Sequence, residues 1–297
     1  MRNWAVAIHG GAGVIGRSMD PSMASVRMNH LEMVIRHASE RAEQGQSAVD
    51  LVEQAVIELE EIPEFNAGRG AVLTADGKHE LEAAIMDGSR AACGGACLLR
   101  NIRNPIRLAR RVMEQSPHVL LAGEAAESMG MDLDRVENDW FTTSLRKEQW
   151  ESWAATKREA DARGPATVGA VARDQAGNLA AATSTGGRTG KPPGRIGDTP
   201  TIGAGTWADQ TCAISGTGHG EAFMAAVTGH AVSARMRHLN EPLAEAASVI
   251  IHQEMPAGSG GLIAVDGSGR LAMPYNCEGM YRAAADSSGH LEIAIWD

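Results

Sequence analysis

Three threonines lie in glycine-rich segments, and their hydroxyl groups are the first candidates for chemistry. They are Thr167 in PATVGAV, Thr185 in TSTGG and Thr217 in SGTGHGE. Glycine lets backbone N–H groups approach a ligand closely, and a hydroxyl beside such an N–H can stabilise an oxyanion. The pattern is typical of nucleophilic attack on a carbonyl, although a buried strand could also simply contain a threonine at position 167.

A charged pair lies in the glycine- and proline-rich loop between Thr185 and Thr217. Arg195 and Asp198 are three residues apart in PGRIGDTP. Arginine can bind a carboxylate through two parallel hydrogen bonds, and aspartate can accept hydrogen bonds from an ammonium group. The pair therefore suits the α-carboxylate and α-amine of an amino acid, but a surface salt bridge between the two residues is an equally open interpretation.

Other motifs in the chain have simpler structural explanations. The segment from Gly11 to Gly16 matches G-x-G-x-x-G, but Asp20-Pro21 interrupts the place where a dinucleotide-binding helix would run. Cys93 and Cys97 read as two small buried hydrophobic residues near a strand rather than a metal or redox pair. No HExxH motif accompanies His219, so we interpret it as a histidine at the start of a helix.

The elements that position these residues follow from hydrophobic spacing. A strand is predicted from Trp4 to Ile8, ending in His9-Gly10-Gly11, and Ser47 is the predicted cap of a second helix. Further helices are predicted over 21–43 and from 105 to 113, with strands over 81–86, 96–99 and 118–121. Residues 145–164 are predicted to be an exposed, partly helical connection, held to the body by Trp140, Trp150 and Trp153.

The chain after Thr167 reads as β-hairpins. Apolar runs flank turns that have Asp at the first position and Gly at the fourth, which suits type I turns; these turns lie at 174–177, 266–269 and 286–289. Helices are predicted over 219–238 and 242–254. Hairpins and amphipathic helices together predict two stacked sheets covered outside by helices, with a doubly wound sheet as the alternative.

Composition limits the class of protein and its partners. The chain has 297 residues, 43% of them hydrophobic and 22% charged, which allows a large packed core. Its net charge of -10, with no basic stripe, argues against a nucleic-acid partner. Four cysteines without zinc-ligand spacing, and no apolar run long enough for a signal peptide or a membrane span, predict a reduced, cytoplasmic protein away from membranes.

Eight motifs occur in an order that resembles one known family. They are HGGAG, FNAGRGAVLT, IMDG, ATVGAV, TSTGG, PGRIGDTP, GAGTWAD and SGTGHGE. In this order they resemble the plant-type L-asparaginase and isoaspartyl aminopeptidase family of N-terminal nucleophile hydrolases, from about residue 5 to about residue 285. The resemblance implies an α/β fold, namely a four-layer αββα sandwich formed by residues 1–297 as one domain.

The resemblance also implies that the chain cleaves itself between Ala166 and Thr167. The products would be an α subunit, 1–166, and a β subunit, 167–297, and two cleaved protomers would form a homodimer. The implied substrates are small molecules, L-asparagine and β-aspartyl dipeptides, from which aspartate is released. Glycosylasparaginase activity, or binding of β-aspartyl ligands without cleavage, are the alternatives.

The resemblance assigns roles to the candidate residues. Thr167 would be the nucleophile with its own α-amine as the base, Thr185 would hydrogen-bond it, and Thr217 with Gly218 would form the oxyanion hole. Arg195, Asp198 and Gly220 would bind substrate, and Asn66 would lie close to the site. A structural sodium ion would be held by mostly backbone oxygens between Glu60 and Arg69, with no other cofactor.

Elementary chemistry agrees with an N-terminal threonine as nucleophile. A hydroxyl attacks poorly until a base removes its proton. An α-amine titrates near pH 8, about two units below lysine, so it can be uncharged near pH 7.

Two features of the sequence depart from the family pattern. Ala166 stands where the family usually has glycine, which would slow cleavage or require a different local geometry, and the GTWADQTCAIS segment is one residue shorter than is common.

Overall fold

The structure, a computed structural model, describes residues 3–156 and 167–297. Within these residues there are two β-sheets and eight α-helices. The strands are β1 Ala5–Gly13, β2 Leu81–Asp87, β3 Ala92–Leu99, β4 Leu120–Ala122, β5 Val168–Arg173, β6 Leu179–Thr185, β7 Thr206–Ala208, β8 Cys212–Gly218, β9 Gly260–Asp266, β10 Leu271–Ala272, β11 Gly279–Asp286 and β12 Leu291–Ala294. The helices are α1 Pro21–Glu43, α2 Ala48–Glu61, α3 Pro105–Gln115, α4 Gly123–Met129, α5 Ser144–Thr156, α6 Gly220–Ala226, α7 Thr228–Leu239 and α8 Leu243–Val249.

The two sheets are built almost entirely from antiparallel pairs. The larger sheet has the order β12-β11-β1-β5-β6-β2-β3-β4, and the smaller one has the order β10-β9-β8-β7. Of the strand pairs in the described residues, β3–β4 is parallel and the others are antiparallel. The mixed α/β class is confirmed, and the doubly wound alternative is wrong, because that architecture needs mostly parallel neighbours.

Strand β1 shows how one sequence supplies two apolar faces. Val6 and Ile8 belong to a core that also contains residues of α1 and α2, whereas Ala5 and Ala7 belong to a core shared with the smaller sheet. Side chains alternate between the two faces of a strand, and small alanines allow the neighbouring sheet to lie close. A third core joins the smaller sheet to α7 and α8. The larger sheet therefore has a helix-covered face and a face packed on the second sheet.

The three predicted hairpins are confirmed. Strands β5 and β6, β9 and β10, and β11 and β12 pair in register across their turns. The fourth turn residues Gly177, Gly269 and Gly289 have φ of 90°, 88° and 93°. Each glycine N–H donates to the carbonyl of the aspartate three residues earlier, at 3.0, 2.9 and 3.1 Å.

The predicted end of the first strand is wrong. Strand β1 continues through the glycine motif to Gly13 and pairs with β11, with a register shift between His9 and Gly11. Gly11 has φ 113°, a conformation that glycine adopts without strain. Residues 11–13, the first half of the G-x-G-x-x-G segment, therefore end a bulged strand, and the segment does not lead directly into a helix, because α1 begins only at Pro21, capped by Asp20.

The predicted helix over 219–238 is divided in two. Val227 has a left-handed backbone with φ 48° and separates α6 from α7. Val227 itself is neither glycine nor proline, so the spacing alone could not reveal the break. His219 precedes α6 as its N-cap residue, which confirms its interpretation as a histidine at a helix start. Helix α4 and strands β7 and β8 were not predicted.

The connection before Thr167 is anchored by tryptophans, as predicted. Its residues 144–156 form α5, whereas residues 157–164 and Ala166 lie outside the described residues. Trp150 donates from Nε1 to the carbonyl of Thr74 at 2.8 Å, and the ring of Trp153 lies against Gly190.

Cys93 and Cys97 lie within β3 as free thiols, with Cys97 buried. In the described part of the chain no helix is both long and apolar enough to cross a membrane.

Candidate active site

Thr167 and Thr185 meet at one end of the β5–β6 hairpin. Thr167 directly precedes β5, Thr185 is the last residue of β6, and the register places Val168 opposite Ser184. Thr167 Oγ1 donates to Thr185 Oγ1 at 3.2 Å, and both residues are buried. Thr185 Oγ1 also accepts from the backbone N–H of Gly187 at 2.9 Å, so its orientation is fixed. The first two threonines singled out by sequence are therefore in contact.

Thr217 comes to the same place from the smaller sheet. It lies near the end of β8, one residue before Gly218, and is fully buried. Its Oγ1 donates to the backbone carbonyl of Thr167 at 3.4 Å and accepts from the N–H of Ala12 at 3.3 Å. The structure thus brings all three threonines together, although Thr217 contacts the carbonyl of Thr167 rather than its hydroxyl. The short GTWADQTCAIS segment forms the β7–β8 pair that carries Thr217 there.

The loop residues Arg195 and Asp198 converge on Gly220 at the start of α6. A Cβ atom placed on Gly220 would lie 2.6 Å from Asp198 Oδ1 and 2.9 Å from Arg195 Nη2. The two side chains therefore approach a bare Cα. Arg195 donates from Nε and Nη2 to Glu221 Oε1 at 3.1 and 2.9 Å, so its ion pair is with Glu221 and the interpretation as a surface salt bridge with Asp198 is wrong.

Asp198 carries an unused hydrogen-bonding oxygen in a buried position. It is 5% exposed, and its Oδ2 has no hydrogen-bond partner. Burial raises the pKa of this carboxyl to about 7. A buried acceptor without a partner is costly, and a cationic group bound beside it would both satisfy Oδ2 and favour the carboxylate.

Asn66 acts on the loop that follows Thr185. Its Nδ2 donates to the carbonyl of Gly187 at 2.7 Å, and its Oδ1 accepts from the N–H of Val72 at 2.9 Å. Its own carbonyl accepts from Gly186 at 3.1 Å. Asn66 therefore lies close to the site, where it fixes the positions of Gly186 and Gly187 beside Thr185.

The segment from Glu60 to Arg69 is a compact turn at the end of α2. The N–H of Arg69 donates to the carbonyl of Glu60 at 2.7 Å. The Glu60 side chain is fully buried, and its Oε1 accepts from Ser184 Oγ at 2.6 Å and from the N–H of Ile106 at 3.1 Å. Glu60 Oε2 has no hydrogen-bond partner, and burial raises the pKa of Glu60 to about 8.

Known proteins resemble this chain over nearly its whole length. The family model described as asparaginase matches residues 2–295. An isoaspartyl peptidase of Escherichia coli is 45% identical, with 94% of this chain and 91% of the relative covered. A probable isoaspartyl peptidase/L-asparaginase of Arabidopsis thaliana is 38% identical with 100% of both covered, and an isoaspartyl peptidase/L-asparaginase of Xenopus laevis is 38% identical with 97% and 94% covered.

The chain belongs to the asparaginase family. The resemblance inferred from eight ordered motifs is therefore confirmed.

Among the described residues no group of three or more His, Cys, Asp or Glu side chains could hold a metal ion.

Three supporting groups of this family member were missed by sequence reasoning. Glu82 in β2 is buried against Lys191, with Lys191 Nζ 3.1 Å from Oε1, and its Oε2 accepts from the N–H of Gly197 at 2.9 Å. This pair anchors the loop that carries Arg195 and Asp198. Its sequence signal is a glutamate next to the apolar run AAIM of β2, since a buried glutamate needs a partner.

The second and third missed groups contact residues of the predicted site directly. Glu221 is adjacent to Gly220 in the TGHGE motif, yet only the fold places it beside Arg195. His9, in the HGGAG motif, has Nδ1 3.0 Å from the carbonyl oxygen of Thr167 and Nε2 2.9 Å from Ser215 Oγ. These contacts join residues 158 and 206 positions apart, so no local pattern could have indicated them.

Proposed function

We propose that this chain is a threonine amidohydrolase that cleaves itself before Thr167 and hydrolyses L-asparagine, β-aspartyl dipeptides or both, releasing aspartate. The observation that carries the proposal is the hydrogen bond from Thr167 Oγ1 to Thr185 Oγ1, made where β5 begins. A cut at this point would place a free α-amine beside an already oriented hydroxyl. Relatives named isoaspartyl peptidase and isoaspartyl peptidase/L-asparaginase support the substrate class.

The proposed reaction proceeds through an acyl-enzyme. The α-amine of Thr167 takes the proton of Oγ1, which attacks the side-chain carbonyl of the substrate. The protonated α-amine of Thr167 then donates its proton to the leaving nitrogen, and an ester between Thr167 and the aspartyl group remains. Water, deprotonated by the same amine, hydrolyses the ester and frees aspartate. Thr217 and Gly218 are proposed to stabilise the oxyanion of both steps.

Substrate recognition is assigned to the residues around Gly220. The unpartnered Oδ2 of Asp198 suits the substrate α-ammonium. Arginine has five N–H donors, and Glu221 engages only two nitrogens of Arg195, so donors remain for the α-carboxylate. Gly220 provides the room between these two groups. Asn66 is proposed to maintain the loop beside Thr185.

The proposal includes a quaternary and subunit organisation. Residues 1–166 and 167–297 would be the α and β subunits of one four-layer αββα sandwich, with the contact between the two sheets as its centre. A homodimer in the cytoplasm stays a prediction from the sequence.

A sodium ion is proposed within the loop from Glu60 to Arg69. The buried, unpartnered Oε2 of Glu60 fits a cation nearby, and backbone oxygens of the loop would supply most of the ligands. Such an ion would stabilise the loop without entering the reaction. A higher melting temperature in sodium chloride than in choline chloride is expected, and equal values would contradict a sodium site.

The decisive experiment compares Thr167→Ala with the wild type and with Thr228→Ala. Thr228 is another fully buried threonine, whose Oγ1 donates to the carbonyl of Phe223 in a different core. We expect the wild type and Thr228→Ala to form two fragments and to release aspartate from a β-aspartyl dipeptide. Thr167→Ala should remain one chain and be inactive. A Thr167→Ala variant that hydrolyses the dipeptide at the wild-type rate would overturn the proposal.

Parallel assays define the substrate class. L-asparagine, a β-aspartyl dipeptide and glycosyl-asparagine are offered to the same cleaved preparation. We expect turnover of the first, the second or both, at rates far above that of glycosyl-asparagine. Preferential hydrolysis of glycosyl-asparagine would instead assign the chain to glycosylasparaginase chemistry. Binding of the dipeptide by an uncut chain without turnover would assign it a purely binding role.

A further inference from the structure

His9 is a fully buried histidine that neither the proposed attack nor substrate binding uses. Its Nδ1 lies 3.0 Å from the carbonyl oxygen of Thr167, and its Nε2 lies 2.9 Å from Ser215 Oγ. Burial lowers the pKa of His9 to about 3, so the imidazole is neutral and carries one proton. Both ring nitrogens are thus engaged, but only one can donate.

The partners of the ring decide which nitrogen carries the proton. A carbonyl oxygen only accepts, so Nδ1 must be the donor to Thr167. Nε2 is then an acceptor, and Ser215 Oγ must donate to it. Because the proton of Ser215 Oγ is directed at His9, the hydroxyl of Thr183 donates to Ser215 at 2.7 Å rather than to the more distant carbonyl of Gly205 at 3.3 Å. Thr206 Oγ1 lies 2.7 Å from Thr183 and continues this row of hydroxyls.

The row of hydroxyls ends beside the substrate-binding loop. Thr206 Oγ1 lies 3.0 Å from the carbonyl oxygen of Thr199, which is adjacent to Asp198, but its single proton serves the shorter contact with Thr183. All of these side chains are fully buried. Their orientation is therefore set by one another rather than by water, and the tautomer of His9 is fixed with them.

A glycine makes the contact between His9 and Ser215 sterically feasible. Gly169 faces His9 in the β1–β5 register. A Cβ atom on Gly169 would lie 2.0 Å from Ser215 Oγ and 2.5 Å from His9 Nε2. The bare Cα two residues after Thr167 thus accommodates the imidazole and the serine hydroxyl together.

We infer that His9 is a positioning residue for the nucleophile, acting as the Nδ1–H tautomer that holds the carbonyl of Thr167. The inference rests on the proposed function, in which Thr167 attacks. Once cut, Thr167 would keep a single peptide bond, so hydrogen bonds to its carbonyl would determine where its α-amine and Oγ1 point. A misplacement of about 1 Å at a reacting group can lower the rate on the order of 10²-fold.

Two variants of His9 separate the roles of its nitrogens. The side-chain amide of asparagine can donate from the position of Nδ1, whereas that of glutamine reaches the position of Nε2. We expect His9→Asn to keep kcat within about fivefold of the wild type, and His9→Gln to lose kcat by on the order of 10²-fold. KM for a β-aspartyl dipeptide should change by less than about threefold in both, since neither amide contacts the substrate-binding residues.

The measurement is normalised so that slow cleavage is not mistaken for poor catalysis. Intact mass gives the cleaved fraction of each preparation, and kcat is expressed per cleaved chain. Equal kcat values for the two variants, whether high or low, would overturn the inference. An uncleaved or inactive wild type would instead overturn the proposed function, so the two failures are distinct.

A spectroscopic measurement on the wild type covers the case in which the variants do not fold. Protein labelled with ¹⁵N-histidine is examined by long-range ¹H–¹⁵N correlation, and the His9 signals are those that shift in Ser215→Ala. We expect a neutral Nδ1–H tautomer that is constant from pH 5 to pH 9. A neutral Nε2–H tautomer, or titration of the His9 ring within this range, would overturn the inference.

Discussion

Replacing Gly220 by alanine should obstruct substrate binding while leaving self-cleavage intact. The added Cβ would lie 2.6 Å from Asp198 Oδ1 and 2.9 Å from Arg195 Nη2. The backbone of Gly220 lies outside the left-handed region, so alanine causes no strain of its own. Non-bonded atoms need about 3.5 Å, so the Asp198 carboxylate would have to retreat by about 1 Å.

The size of the effect follows from the contact that is lost. A hydrogen bond to a charged group contributes about 1.5–3 kcal/mol, and about 1.4 kcal/mol corresponds to a tenfold change in affinity. Gly220→Ala should therefore raise KM roughly 10- to 100-fold. The change in kcat should be smaller, because Thr167 and Thr185 are not displaced.

The assay follows aspartate release from a β-aspartyl dipeptide over a wide substrate range, with the cleaved fraction determined by intact mass. Gly267→Ala is the matched control, because a Cβ there would have its nearest neighbour at 3.5 Å and the residue lies in the β9–β10 turn. We expect the control to behave as the wild type. An unchanged KM in Gly220→Ala, or a loss confined to kcat, would refute the assignment of Arg195 and Asp198 to the substrate.

Three further predictions follow from the site. Burial raises the pKa of Asp198 from 3.8 to about 7, so the free energy of unfolding of the wild type falls as pH rises through this window. In chemical denaturation, the stability advantage of Asp198→Asn over the wild type should therefore grow from pH 4 to pH 7 and level at up to about 4 kcal/mol. A stability difference that stays constant over this range would contradict the prediction. Thr185→Val removes the acceptor of the Thr167 hydroxyl and should lower kcat about 10- to 100-fold with little change in KM; an unchanged kcat in steady-state assays would exclude the role of Thr185. Lys191→Met leaves Glu82 buried without its cation and should lower the free energy of unfolding by about 3–5 kcal/mol, and a denaturation midpoint equal to that of the wild type would count against this pair.

The local features of the fold were predictable because their signals are local. Aspartate and glycine three residues apart indicated each hairpin turn, and the glycine settings indicated the threonines that meet at the site. The break at Val227 was not predictable, since a valine in the left-handed conformation has no sequence signal. The extension of β1 to Gly13 was missed because glycines usually indicate turns, whereas here they form a bulged strand.

The supporting contacts of the site depend on the tertiary fold. The side chains of Arg195 and Asp198 lie close to Gly220, but the ion pair of Arg195 with Glu221 arises only when α6 meets the loop. His9 reaches Ser215 across 206 positions, because two sheets bring β1 and β8 together. Such contacts are set by packing between layers, which a hydrophobic period cannot specify.

The most direct test of the account is the chain end at position 167 in protein that is turning over substrate. Terminal-amine labelling and intact mass are measured over time alongside aspartate release from a β-aspartyl dipeptide. If Thr167 attacks only after self-cleavage, we expect fragments that break between Ala166 and Thr167, a labelled threonine amine, and activity that rises in proportion to the cleaved fraction. Full activity in a chain that never gains this amine would contradict the account.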